Sequence, residues 1–169
     1  MNLNEEVVNE ILMNSNIHDI INLCSTSNQF NNICQDKHFW VNKFKKDNLI
    51  LIQTHNWIDS YITAMVNKFI DYIKNQPYLT QNVTFKIPLD KLLEIDPKTF
   101  AFVKDDLFTT KTEEKITLSY NRVNDLWFVM IKGSLPKIID DHLVISYLKN
   151  MIYMNINIKY NNGHEKYII

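Results

Sequence analysis

The spacing of the apolar residues changes part-way along this chain. From residue 3 to residue 73 they recur every three or four positions, and from residue 83 they alternate. The first spacing places apolar side chains on one stripe of a helix; the second places them on one face of a strand. A chain that reads as helices first and strands later is expected to be α+β.

The helical part begins with short pieces. Leu3, Val7, Val8, Ile11 and Leu12 form the first stripe, and Asn14-Ser15-Asn16 interrupts it. Asn16 is a candidate N-cap, with Asp19 in the first turn to favour the helix start. Ile17, Ile20, Ile21, Leu23 and Cys24 form the second stripe; Ser27 is the next capping candidate; Phe30, Ile33 and Cys34 follow, then Phe39, Trp40, Val41 and Phe44. Each helix is too short to be stable alone, so these faces must meet one another or a partner. A longer stripe, Ile58 to Ile73, runs for about four turns, with Asn56 as its cap and Pro77 beyond its end.

Val83, Phe85 and Ile87 then predict a strand, and residues 89–95 a helical turn ending before Pro97. Residues 115–120 and 126–131 flank a five-residue connection and predict a hairpin. Ile139, Leu143, Tyr147 and Met151 predict a helix, residues 152–160 a strand, and Asn161-Asn162-Gly163 a turn back into residues 166–169. No internal repeat is present. The change in pattern divides the chain into 1–46, a bundle of short helices, and 47–169, a long helix followed by a small antiparallel sheet.

Composition excludes several function classes. With 169 residues, 46% hydrophobic content and a net charge of −1, disorder is not expected. The near balance of charge gives no general attraction to nucleic acid, and Arg122 is the only arginine. No run is long enough to span a bilayer, and the acidic start MNLNEEVVNEIL does not look like a secretory signal. We therefore expect an intracellular, cytoplasmic protein that binds neither nucleic acid nor membrane, with Cys24 and Cys34 as reduced thiols.

No active-site pattern emerges. Phosphate-cradling loops need glycines close together, and the only glycines are Gly133 and Gly163. Two cysteines and five scattered histidines do not make a zinc site; Cys34 and His38 read as a buried thiol beside a surface imidazole. The cysteines lie on apolar stripes, where a thiol behaves as a small hydrophobe. Asp140-Asp141-His142 reads as acids at a helix start. Lys43-Phe44-Lys45-Lys46 reads as a solvated face around a core Phe, and Tyr120, Trp127 and Phe128 as sheet core. Neither a catalytic residue nor a metal or cofactor is expected.

Residues 3–46 resemble an F-box. Leu3, Glu6, Val7, Val8, Ile11 and Leu12 fall in the places of its opening block. Asp19, Ile20, Leu23 and Cys24 match the next, then Phe30, Ile33 and Cys34, and Phe39-Trp40 stands at its closing apolar-Trp pair. Two positions depart: Asn4 stands where the family usually has Pro, and Ser15 where an apolar residue usually closes the first helix. The Asn- and Lys-rich style is similar to that of F-box proteins of giant DNA viruses, which would place the protein in a host cytoplasm.

The resemblance implies an adaptor, not an enzyme. It would bind a Skp-type adaptor protein within a cullin-based (SCF) ubiquitin ligase, and residues 47–169 would hold an unknown protein substrate. The adaptor face implied by the resemblance comprises Leu3, Asn4, Glu6, Val7, Val8, Ile11, Leu12, Leu23, Cys24, Phe30, Ile33, Phe39 and Trp40. The two departures motivate an alternative, a structural or interaction protein with an F-box-like fold and no ligase partner.

Overall fold

The computed structural model describes residues 4–52, 56–95, 113–131, 134–161 and 166–168. The fold is α+β, and the chain separates into two compact units, residues 1–69 and 70–169. The division falls inside a helix rather than at the expected 46/47, because the start of that helix packs with the short ones.

In the first unit, α1 (Glu5–Asn14), α2 (Ile17–Thr26), α3 (Asn28–Gln35) and α4 (Lys37–Lys46) follow one another with connections of at most two residues. Side-chain caps explain how such short helices start. Asn16 Oδ1 accepts from the Asp19 amide at 2.9 Å, Ser27 Oγ from Phe30 at 3.4 Å, and Asp36 Oδ1 from His38 at 2.9 Å. Cys34 and His38 consequently sit on different helices, not on one face. Helix α5 (Trp57–Lys74) begins at Asn56, whose Oδ1 accepts from the Asp59 amide at 3.2 Å. Val8, Leu12, Ile20, Phe39, Trp40, Phe44 and Tyr61 fill the core. Tyr61, on α5, lies 5.6 Å from the Trp40 ring and 5.4 Å from that of Phe44.

The second unit contains the last turn of α5, then β1 (Thr80–Pro88), α6 (Leu89–Ile95), β2 (Glu113–Asn121), β3 (Leu126–Ile131), β4 (Lys137–Ile139), α7 (Asp141–Tyr153), β5 (Lys159–Asn161) and β6 (Lys166–Ile168). The strands form an antiparallel sheet in the order β4-β3-β2-β1-β5-β6. The pairing Asn121↔Leu126 closes the hairpin, with Asp125 at φ 52°. Val83, Phe85, Ile87, Ile116, Leu118, Tyr120, Trp127, Val129, Ile131 and Tyr160 are buried on one face. The Tyr72 ring meets Tyr160 edge-on at 5.8 Å, and Val144, Tyr147, Leu148, Met151 and Ile152 of α7 are also buried. The opposite face carries Thr84, Lys86, Lys115, Thr117, Phe128, Met130, Ile138 and Lys159, all half-buried or exposed. One packed and one open face is the usual state of an antiparallel sheet.

Two expectations are corrected here. Ile139 belongs to β4, where it pairs with Trp127, and does not start the helical stripe. Residues 152–158 are not strand: α7 continues to Tyr153, and only Lys159–Asn161 is β. The alternation after Ile152 is overridden by helix closure. The Met154 amide donates to Asn150 O at 2.9 Å, and Ile156 to Met151 O at 2.8 Å, with Asn155 left-handed at φ 54°. Asn162 and Gly163 of the expected turn lie outside the described residues.

Candidate functional site

The candidate site is built on α1. Asn4 holds φ −63° and ψ 140°, and its Oδ1 accepts from the Glu6 amide at 3.1 Å. That φ is the one a proline would impose, so the departure keeps the chain entry and adds a cap. At the other end the Ser15 amide donates to Leu12 O at 3.2 Å and its hydroxyl to Ile11 O at 2.8 Å. Ser15 therefore closes the helix with hydrogen bonds where apolar contact was expected.

The expected adaptor residues separate into two sets. Asn4, Glu6, Val7 and Ile11 are exposed, Val7 at 43% and Ile11 at 38%. Leu23, Cys24 and Phe30 are half-buried. Val8, Leu12, Ile33, Phe39 and Trp40 are buried, so they hold the helices together and are not open to a partner. Leu3 lies outside the described residues. Trp40 is fixed by its indole Nε1, which donates to Cys34 O at 2.7 Å.

The expectation of reduced thiols is corrected. Cys24 and Cys34 form a disulfide, with their Cα atoms 6.1 Å apart. Packing of α2 on α3 brings the two positions to bridging distance, which their spacing in sequence does not reveal. The link closes the helix pair that carries Leu23, Phe30 and Ile33.

In the basic segment after Trp40, Phe44 is core and Lys45 and Lys46 are exposed as expected, but Lys43 departs from the solvated face. Lys43 is 4% exposed, and its Nζ donates to Met13 O at 3.1 Å and Ser15 O at 3.0 Å while pairing with Asp47 at 3.1 Å. Lys46 Nζ donates to Met13 O at 2.9 Å and Asn14 Oδ1 at 2.6 Å. Helix α1 has no basic residue in its own last turn. Two lysines from α4 supply the positive charge that its C-terminal carbonyls favour. Tyr61 donates to Asp47, and burial, this hydrogen bond and the carboxylate charge push the phenol far above its ordinary value. α1, α4 and α5 are thus joined by one polar network inside the first unit.

The densest titratable cluster, at 140–142, is consumed by structure. Asp140 Oδ1 caps α7 through the Leu143 amide at 2.8 Å, Asp141 pairs with Lys74 at 2.8 Å, and His142 is exposed. No group of three His, Cys, Asp or Glu suited to a metal occurs among the described residues, and no helix among them is long and apolar enough to cross a membrane. Tyr120 and Trp127 are sheet core as expected, while Phe128 is half-buried on the open face.

Sequence reasoning missed the lysine caps of α1 and a group of three lysines on the open sheet face. Packing of α4 on α1 brings the first set to its carbonyls, and strand register brings the second together. No curated protein and no solved structure matches the chain. Residues 1–42 match the family model of the F-box domain, and this match supports reading the chain as an F-box protein.

Proposed function

We propose that this chain is a non-enzymatic substrate receptor. Its N-terminal helices bind a Skp-type adaptor, and the rest of the chain presents a protein target to a cullin-based ubiquitin ligase. The observation that carries this reading is the F-box match over residues 1–42, joined to a capped α1 that leaves Val7 and Ile11 exposed while Val8 and Leu12 pack inward. Apolar side chains held outward on a rigid helix are the ordinary means of docking a helical partner. The protein acts inside the cell, in a host cytoplasm if its origin is viral, with the Cys24–Cys34 disulfide an exception to the reduced thiols usual there, and neither nucleic acid nor membrane is a partner.

The test is gel filtration of the full chain with a recombinant Skp-type adaptor. A one-to-one complex is expected, lost on Val7→Glu or Ile11→Glu with the thermal transition unchanged. A complex that survives both substitutions would show that the docking surface lies elsewhere. A folded chain that forms no complex at micromolar concentration would leave a structural or interaction protein with an F-box-like fold.

A further inference from the structure

We propose that the open face of the sheet binds an acidic peptide segment, and that Lys86, Lys115 and Lys159 hold its carboxylates. The proposal deepens the substrate-receptor reading, on which it rests, by naming the chemistry of the segment recruited.

Register places the three cations together. Lys86 of β1 is directly opposite Lys115 of β2. Lys159 of β5 is opposite Thr84, two residues before Lys86 on the same face of β1. All three lysines are exposed, whereas Val83, Phe85 and Ile87 on the other face are buried. Like charges directly opposite on antiparallel strands oppose folding. The other lysines show how this fold treats a cation it uses internally: Lys43, Lys46, Lys68, Lys74 and Lys91 each hold a carboxylate or a carbonyl. The three sheet lysines make no ion pair with a described residue. A cluster of like charges that no ion pair among the described residues compensates is where a ligand is expected.

The lysines line a cleft of about 560 Å³ together with Thr84, Asn155 and Asn157, and among the described side chains no carboxylate lines it. That volume lies in the range of ligand sites, roughly 300–1,000 Å³. Asn155 and Asn157 stand on the segment after α7, shaped by the left-handed turn at Asn155. Their amides offer neutral donors beside the ammonium groups. Every polar group here suits an anion.

The rest of the face favours peptide over nucleic acid. Across β2, Thr117 is opposite Met130, Ser119 is opposite Phe128, and Phe128 is opposite Ile138, which is 64% exposed. The surface therefore runs from cationic at β5, β1 and the Lys115 end of β2, through the hydroxyls of Thr117 and Ser119, to apolar at β3 and β4. A segment with carboxylates at one end and apolar side chains at the other matches that order. The chain's net charge of −1 supplies no wider field for a phosphate backbone, and no arginine lines the cleft.

The experiment titrates the full chain into fluorescein-labelled octaglutamate, octaglutamine and an oligothymidylate, read by anisotropy at low and at physiological salt. Octaglutamate is expected to bind and to weaken with salt, and octaglutamine not to bind. Lys86→Gln, Lys115→Gln and Lys159→Gln should each weaken binding about two- to fivefold, and the triple variant about tenfold or more. Lys45→Gln on α4 should change nothing. The thermal transition of Lys115→Gln should hold or rise, because repulsion is relieved; a fall would assign the lysine to stability and overturn the proposal. Equal binding of octaglutamine, tighter binding of oligothymidylate, or full affinity in the triple variant would also overturn it. The same preparation is run with the Skp-type adaptor. An adaptor complex without peptide binding ends this inference alone. Peptide binding without an adaptor complex ends the receptor reading and leaves the lysine site standing.

Discussion

Replacing Lys43 by Met tests whether a buried cation from α4 holds the end of α1. Met keeps most of the apolar stem, so the change isolates the ammonium group. Its loss leaves Ser15 O without this donor, Met13 O with only the Lys46 bond, and Asp47 without its ion pair. Hydrogen bonds to a charged group contribute about 1.5–3 kcal/mol each. Removing one partner of a buried pair costs about 3–5 kcal/mol, less here because the Asp47 side chain is 30% exposed and Lys46 remains. We expect a loss of about 2–4 kcal/mol, a factor of roughly 30 to 900 in the opening equilibrium. Hydrogen exchange of the α1 amides reads this quantity in the first unit without interference from the sheet. Protection of the hydrogen-bonded amides from Val8 to Asn14 should fall by that factor, and the double variant Lys43→Met/Asp47→Asn should cost less than the sum of its singles. A loss below about 1 kcal/mol would place Lys43 among ordinary surface ion pairs and refute the capping argument.

Other outcomes follow from the same structure. Reduction, or Cys24→Ser, should destabilise the helical unit by about 2.5–3 kcal/mol, the closure entropy of a loop of sequence separation 10, read as a lower urea midpoint. Trp127 Nε1 is buried with no partner among the described residues, while Trp40 Nε1 is bonded to Cys34 O. Trp127→Phe should therefore cost about 1 kcal/mol or less and Trp40→Phe about 2–3 kcal/mol in the same measurement, an order that equal losses would contradict. Asp125 is held below the ordinary carboxylate range by its hydrogen bond from Tyr120 and then by the charge of Lys74. Burial works against the charge of Lys74, but its hydrogen bond to Asp141 and the nearby carboxylates raise its pKa overall. The depressed Asp125 stabilises above the unfolded carboxylate pKa and that contribution fades as pH falls through the folded value. The raised Lys74 stabilises below the unfolded ammonium pKa and fades as pH rises through the folded one. Asp125→Asn, which still tolerates the left-handed turn, should flatten the acid limb of a stability–pH curve by lowering stability slightly at neutral pH, and leave strongly acid pH nearly unchanged.

Much of the local structure was legible because its causes are local. The caps at Asn16, Ser27 and Asn56, the turn of helix at Leu89–Ile95 and the hairpin around residues 121–126 each follow from side chains within a few positions of the element. The failures have non-local causes. Ile139 continues a helical spacing but is claimed by Trp127 across the sheet, because a three-residue strand exists only through its partner. The alternation from Ile152 to Ile158 imitates a strand, yet burial of Met151 and Ile152 keeps α7 running and a left-handed Asn155 ends it.

The candidate site divides the same way. Val7, Val8, Ile11 and Leu12 all stand in the apolar places of the motif, but only burial separates the exposed pair from the packed pair. By itself the sequence determined where helices begin, where the period changes from helix to strand, and that the first helices resemble an F-box, since these depend on propensity, capping and spacing along the chain. Tertiary structure alone decided the disulfide, the buried role of Lys43 and the meeting of Lys86, Lys115 and Lys159. Each joins residues far apart in sequence or on different elements, and only packing and strand register fix what stands beside what.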